Sequence, residues 1–430
     1  MTLLIGLGGA ATFAAYLALA LSQASLGSPL FFSIVAVPCA VYLGLAARLL
    51  LTPFAAGTSV ERRWRPEGLL LVALILAVAF RVPLTVGRIG PRNDMIRYIW
   101  DGRIQWMGYN PYTVLPSDPA LAYTHTEDSR VMPSIHDRTP YPAAAQLFFK
   151  LIVAISASPH VMRFTLVGCD LLTLVVLLTW LRDTGRSPWL SLLYGWNPLV
   201  VLEVAHSGHI DALGALFIAM SAWMLSTGRG LRAMVAFVIA VAAKLLPIVL
   251  VPLFWKRVRV RDAAVAAAVF LLMYWPFASA GTLPLGAVPN VIEHVRFNGP
   301  LFKLLAALVT PKGAAFVAVA SGFAVAAWMR YRHPAGEPAA WAWPMAVSLA
   351  AAPVVYPWYL LYFTPFLFTA RTMPLVIWTI GALPVYLVWE LSRFGHRWSV
   401  PMTIVSVEYG LVLAAMAWAA ARRVRTSSIA

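Results

Sequence analysis

"GLLLVALILAVAF" (residues 68–80), followed closely by "RNDMIRYIWDGRIQWMGYNPY" (92–112), decides how this chain folds. The first stretch carries no charge. With its flanks, 67–87, it has about the 20 residues a helix needs to cross a hydrocarbon layer about 30 Å thick. The second packs Asp94, Arg97, Asp101 and Arg103 among Tyr98, Trp100, Trp106 and Tyr109. An apolar run that opens directly into acids, bases and aromatics reads as a span leaving the membrane near residue 88.

Outward from there the same pattern repeats. Apolar residues make up 61% of the 430 and charged ones 12%, half of the roughly quarter found in soluble domains. Most of the surface must therefore face lipid. Spans are expected at about 3–22, 30–53, 67–87, 160–182, 187–204, 210–227, 261–280, 312–330, 338–354, 357–370, 373–391 and 400–421. Residues 231–256 must leave and return to one side, which predicts two short helices broken near Lys244 and Pro247. The expected class is an all-α polytopic membrane protein with about 12–14 transmembrane or re-entrant helices, forming a single transmembrane domain over 1–430. The first run lacks a basic leader and reads as a retained span. Cys39 and Cys169 lie in apolar runs and suggest neither a disulfide framework nor a metal motif.

The net charge of +16 is explained by its placement. Short basic loops, "VERRWR" (60–65), "RDTGR" (182–186), "RGLR" (229–232), "KRVRVRD" (256–262), "RYRH" (330–333) and "ARRVR" near the end, separate the spans. Such loops mark the cytoplasmic side and suit anionic headgroups, so nucleic acid is not an expected partner. Both termini then lie inside. The long polar segment, 88–140, lies outside the cytoplasm, and "YPAAAQLFFKLIVAIS" (141–156) reads as a helix in the outer interface.

Three groups of residues on the outer side can carry chemistry. Asp94, at the edge of low dielectric, suits a general base; it reads equally as the cap of a helix starting near Met95. Asp101 lies two turns along the same face, either sharing the site or bridging Arg97 or Arg103. Second, "WNPLVVLEVAHSGHIDALGALF" (196–217) sets Glu203, His206, His209 and Asp211 at the outer end of two spans, where polar groups are costly and usually functional. Hydrogen bonding to a sugar or to a catalytic carboxylate fits better than a metal, because the spacing matches no metal motif. Third, His294, Arg296, Lys303, Arg393, His396 and Arg397 place cations on that face, and Lys244 sits beside a helix break; these suit a lipid-borne phosphate or simple snorkelling. Tyr356, Trp358 and Tyr359 in "PVVYPWYLLYF" (353–363) read as an aromatic belt or as sugar-stacking faces.

"NDMIRYIWDGRIQWMGYNPY", "YPAAAQLFF", "WNPLVVLEVAHSGHIDALGALF" and "PVVYPWYLLYFTPF" resemble, in order and topological side, the GT-C superfamily of membrane glycosyltransferases. The closest likeness is to bacterial polyprenyl-phosphate-mannose-dependent mannosyltransferases, over roughly residues 67–370. The resemblance implies a GT-C-like fold in a bacterial plasma membrane, with 88–159 as an extracytoplasmic catalytic loop bearing interfacial helices. It implies a polyprenyl-phosphate-linked sugar as donor, most simply mannose, and a glycan or glycolipid hydroxyl as acceptor. Asp94 matches the family's catalytic base, and "HID" (209–211) stands where relatives carry His-Asn-Asp. Three spans precede the catalytic loop where many members have one, and no soluble C-terminal domain follows. The expected reaction is an inverting displacement without a cofactor. Arg97, Asp101, Glu203, His206, His209, Asp211, Tyr356, Trp358 and Tyr359 would bind sugar. Lys244, His294, Arg296, Lys303, Arg393 and Arg397 would bind phosphate. A lipid-linked glycan ligase or polymerase is the nearest alternative; a transporter is a more distant one, because no internal repeat is visible.

Overall fold

A computed structural model describes residues 1–22, 24–52, 67–90, 93–278 and 284–427, with side chains as far as 422. It is all-helical, with 75% of the chain in helices. Among the described residues, eight helices are long and apolar enough to cross a membrane, which makes the chain a polytopic integral membrane protein. They are α1 (Leu4–Ser22), α2 (Pro29–Leu50), α3 (Gly68–Val86), α6 (Pro159–Asp183), α9 (Val260–Phe277), α12 (Pro311–Arg332), α14 (Ala370–Arg393) and α15 (Met402–Arg422). Shorter helices are α4 (Asp94–Trp106), α5 (Ala143–Ile155), α7 (Asp211–Ser226), α8 (Gly230–Ala243), α10 (Val288–His294), α11 (Pro300–Leu308) and α13 (Pro338–Ala350).

Local chemistry sets the starts. Ser28 caps α2, its side chain accepting from Phe31 N at 3.2 Å, with Pro29 in the first turn; Thr310 caps α12 in the same way, accepting from Gly313 N at 3.0 Å. A hydroxyl at the cap satisfies an amide that has no intrahelical partner, and proline there gives up no bond. The outer helices α1 and α9 turn large apolar side chains outward, among them Leu7, Leu21, Leu271 and Leu272. That surface is expected of helices facing lipid.

Four expected spans, 187–204, 210–227, 338–354 and 357–370, are not among these eight, and two of them are not single helices. Residues 187–204 do not form one helix: a 3-10 turn (Pro188–Ser191), two single turns (Leu192–Gly195 and Pro198–Val201) and a π turn (Leu202–His206) replace it. Residues 357–370 likewise become 3-10 turns, Pro357–Tyr362 and Thr364–Phe366. Pro188, Pro198, Pro357 and Pro365 cannot donate to a preceding turn, so continuous helix fails there. Broken backbone is tolerated because these segments are buried in protein and not exposed to lipid. The expected span 338–354 is α13, with 13 residues. The break near Lys244 is present: α8 ends at Ala243, Lys244 is extended, and a 3-10 helix follows over Leu246–Phe254. "VERRWR" lies outside the described residues.

Buried ion pairing fastens the bundle. Arg81 in α3 forks onto Asp170 in α6, Nε to Oδ2 at 2.5 Å and Nη2 to Oδ1 at 3.2 Å. The same guanidinium donates through Nη1 to the carbonyls of Ala77 and Gly195, so four of its five protons have acceptors. Glu408 of α15 is fully buried and accepts from Trp378 Nε1 at 2.7 Å and Asn298 Nδ2 at 2.9 Å. It thereby ties the 295–299 loop to α14 and α15.

The segment after α3 is a folded layer. Ile96, Trp100 and Ile104 of α4 pack with Leu121 and Met132 into a small core of their own. At 13 residues α5 is about 20 Å long. Its Phe149 and Ile152 are buried, while Leu151 and Ile155 face outward. Gly102 lets α4 and α5 meet, since a Cβ there would sit 2.6 Å from the Phe149 carbonyl oxygen.

Candidate functional site

The cap of α4 bears on one of the two readings of Asp94. Asn93, not Asp94, caps α4: its side-chain oxygen accepts from Met95 N at 2.9 Å, and its amide donates to Ser207 O at 2.9 Å. Asp94 is the first helical residue. Its carboxylate is released from capping, and a quarter of its side chain is open.

Facing it is the irregular segment 197–211. Asn197 starts that segment, accepting from Leu199 N at 3.0 Å while its amide donates to the Tyr42 hydroxyl and to Thr379 Oγ1. The loop is thus buckled onto α2 and α14. A π turn then rotates Glu203 and His206 out of helical register. Gly208 follows with φ +71°, and a Cβ there would lie 2.3 Å from Met95 Sδ. Only glycine combines that conformation with that approach. The turn delivers His209 against Asp94, Nδ1 to Oδ2 at 3.7 Å, and against Glu203, Nε2 to Oε2 at 3.3 Å. The Tyr386 hydroxyl donates to the other oxygen of Glu203.

Burial, aided by the nearby Lys244 charge and then by His206, holds His209 well below its ordinary value, so the ring is neutral. A neutral imidazole has one N–H to donate and one lone pair. Burial pushes the Glu203 carboxyl up to about 8, so at neutral pH it carries a proton that it can turn towards His209 Nε2, 3.3 Å away, which leaves the ring's N–H on the side of Asp94. Trp358 stacks on the imidazole at 4.1 Å and Tyr356 on Trp358 at 4.3 Å, fixing the ring plane.

Lys244 completes the group. Its ammonium pairs with Asp211 Oδ1 at 2.6 Å and lies 3.8 Å over the Tyr359 ring. Burial pushes the Asp94 carboxyl up to about 6; Lys244 opposes this, Asp211 adds to it, and Tyr141 and Arg97 oppose it more weakly. A carboxylate held near neutrality, partly open and next to a fixed imidazole, is suited to taking a proton from an incoming hydroxyl.

The other expected residues fall into two sets. His206 is half-buried at the edge of the group, its backbone carbonyl accepting from Arg163 at 3.3 Å. Arg97 and Asp101 are buried and face each other. They pair at 2.8 Å with side chains 2% and 0% exposed. Arg97 donates to Ser134 O and Asp137 O, and Asp101 accepts from Gln146 Nε2 at 2.8 Å. These contacts fasten the 134–137 segment and α5 to α4.

The other cations of that expected set are not gathered into the Asp94 group: among the described residues no hydrogen bond or ion pair joins them to it. Arg296 is spent on the end of α10, donating to Ile292 O, Glu293 O and Val295 O, and its guanidinium lies over Phe302. Arg393 pairs with Glu390 at 3.2 Å. His294, Lys303, His396 and Arg397 are exposed. Of the proposed phosphate ligands, only Lys244 stands at the site. Among the described residues, no group of three or more His, Cys, Asp or Glu is arranged to hold a metal.

Two contributors were missed from sequence. Tyr141 and Tyr386 stand in unremarkable apolar or proline-rich surroundings, and nothing local marks them as neighbours of Asp94 and Glu203. No protein-family model, no curated protein and no solved structure matches this chain.

Proposed function

We propose that this chain is a membrane glycosyltransferase of GT-C type. It moves a sugar, mannose being the first candidate, from a polyprenyl-phosphate carrier to a hydroxyl of a glycan or glycolipid on the extracytoplasmic face. Asp94 is the general base. The observation that carries the reading is the partly open Asp94 carboxylate at the start of α4, raised to about 6 and backed by His209 and the Lys244–Asp211 pair.

In this mechanism the acceptor hydroxyl gives its proton to Asp94 as its oxygen attacks the anomeric carbon. The bond to the carrier breaks, and polyprenyl phosphate leaves with the electron pair. The Lys244 ammonium supplies positive potential for the leaving phosphate, the kind of preorganised charge that lowers such barriers. His209, oriented by Trp358 and Glu203, holds Asp94 in place.

The test is Asp94→Asn in purified protein given synthetic polyprenyl-phosphate-mannose, with the glucose analogue alongside. Loss of a general base lowers turnover by about 10²–10⁴-fold while donor binding persists. Undiminished turnover by the variant refutes the assignment of Asp94; failure of the wild-type protein to transfer from any polyprenyl-phosphate sugar refutes the donor class.

A further inference from the structure

At the opposite end of α7 and α8 from Asp94 lies a second concave site. The turn 228–232 and the loop 256–262 enclose a cleft of about 550 Å³, within the usual size range of small-ligand sites. Arg229, Arg232, Lys256, Arg257, Arg259 and Arg261 line it, against one acid, Asp262.

The cations are unequally committed. Arg257 donates to the carbonyls of Leu253, Arg330 and His333, and so braces the loop. Arg261 pairs with Asp262 at 3.5 Å. The side-chain cations of Arg229, Arg232, Lys256 and Arg259 have no carboxylate within 4.0 Å among the described residues, although Arg229 lies over the Trp223 ring. Other basic loops differ: Arg182 pairs with Asp183, Arg186 and Arg371 approach Glu337, and Arg330 donates to Trp255 O. An orientation signal needs positive charge on one side of the membrane, not a cavity that concentrates it.

Two further features point to an anion. The first turn of α8 starts at Gly230 with no capping side chain, which leaves amides without intrahelical partners beside the Asp262 carboxylate. At Gly228, φ +76°, a Cβ would meet nothing within 4 Å, so the backbone is accessible. Beside the charges, Leu231, Trp255 and Val260 are exposed and apolar. Cations in a cavity with greasy residues at its rim match a phosphate carried on acyl chains better than a free one.

We propose that this cleft binds the phosphate headgroup of an anionic membrane lipid. Four cations and the α8 amides take the phosphate oxygens, while Leu231, Trp255 and Val260 meet the acyl chains. The site stands apart from Asp94, and its occupancy does not depend on the proposed transfer reaction.

The experiment is calorimetric titration of the purified full-length protein, in uncharged detergent, with dioctanoyl phosphatidylglycerol, dioctanoyl phosphatidylcholine and inorganic pyrophosphate. Phosphatidylglycerol is expected to bind saturably and phosphatidylcholine not to. The exposed pair R232Q/R259Q should weaken binding about fivefold per charge, so about 25-fold together. R232K/R259K should stay within about threefold of wild type, because it keeps the charge. R182Q, in another basic loop, should have no effect. Unchanged affinity in R232Q/R259Q, or an equal loss in R182Q, overturns the site. Pyrophosphate binding as tightly as the lipid overturns the lipid as its source.

Discussion

If Asp94 acts as the base, the acid limb of its pH profile must move in opposite directions when its two charged neighbours are removed. With the carboxyl at about 6, about half of the protein is ionised at pH 6, about a tenth at pH 5 and about nine tenths at pH 7. The value of kcat/KM, which reports ionisations of the free protein, should therefore fall tenfold per pH unit below about 6. Lys244 pulls the Asp94 carboxyl down and Asp211 pushes it up. Lys244→Met removes the opposing charge and leaves Asp211 without its partner, both of which raise the limb. Asp211→Asn removes the like charge and frees Lys244, both of which lower it. A charge within a few ångströms shifts a carboxyl by about 1–3 pH units; one unit each way puts the limbs near 7 and near 5. At pH 6.5 that leaves the Lys244 variant with about a third of the ionised fraction of the wild type, recovered by pH 8. The assay is single-turnover transfer from polyprenyl-phosphate-mannose between pH 4.5 and 9. The position of the limb is what counts, because either substitution can also change its height. Limbs that stay put, or that move together, refute the argument.

Three further outcomes follow from the geometry. A carboxyl raised from 3.8 to about 6 adds stability below pH 3.8, which is lost as pH rises through 6; Asp94→Asn should therefore stabilise the fold at pH 7.5 by up to about 3 kcal/mol, seen as a higher melting temperature in an inactive protein. A lower melting temperature would contradict the desolvation of Asp94. Gly208→Ala must adopt a positive φ and push Met95 aside; about 1–2 kcal/mol of backbone strain and a displaced His209 should cut kcat/KM while the far-ultraviolet spectrum holds. Asp170→Asn leaves Arg81 buried without its counter-charge and should cost about 3–5 kcal/mol, whereas R81M/D170L should recover most of it; equal damage from both would mean the pair is not the fastening it resembles.

Much of the fold is legible along the chain. The eight long helices follow from runs of apolar residues, because a residue exposed to lipid must be apolar wherever it packs. The break at Lys244 was legible too, from a lysine beside a proline in an otherwise greasy run. The misread spans, 187–204 and 357–370, are apolar for a different reason. They are buried in protein, and burial in protein and immersion in lipid select the same side chains. Length and proline spacing hinted at the difference, but only packing made it visible.

At the site, sequence order brought Asp94 and the 203–211 segment forward as polar groups beside spans. It could not decide which of Asn93 and Asp94 caps α4, since either side chain can accept the same amide. Of the two roles open to Asp101, the bridge to Arg97 is present, as residues four apart on a helix can form. Tyr386 and Glu408 act over separations of 183 and 110 residues, beyond any local pattern.

What this sequence determined by itself is which long runs are apolar enough to cross a membrane. That information is local, because the transfer free energy of a side chain depends mostly on its own chemistry. Tertiary structure decided which polar residues meet, which of them spend their charge on one another, and which carboxylate is left partly open. Those outcomes depend on distances of a few ångströms between residues far apart in the chain, and Coulomb and hydrogen-bond energies fall away too steeply with distance for linear order to foretell them.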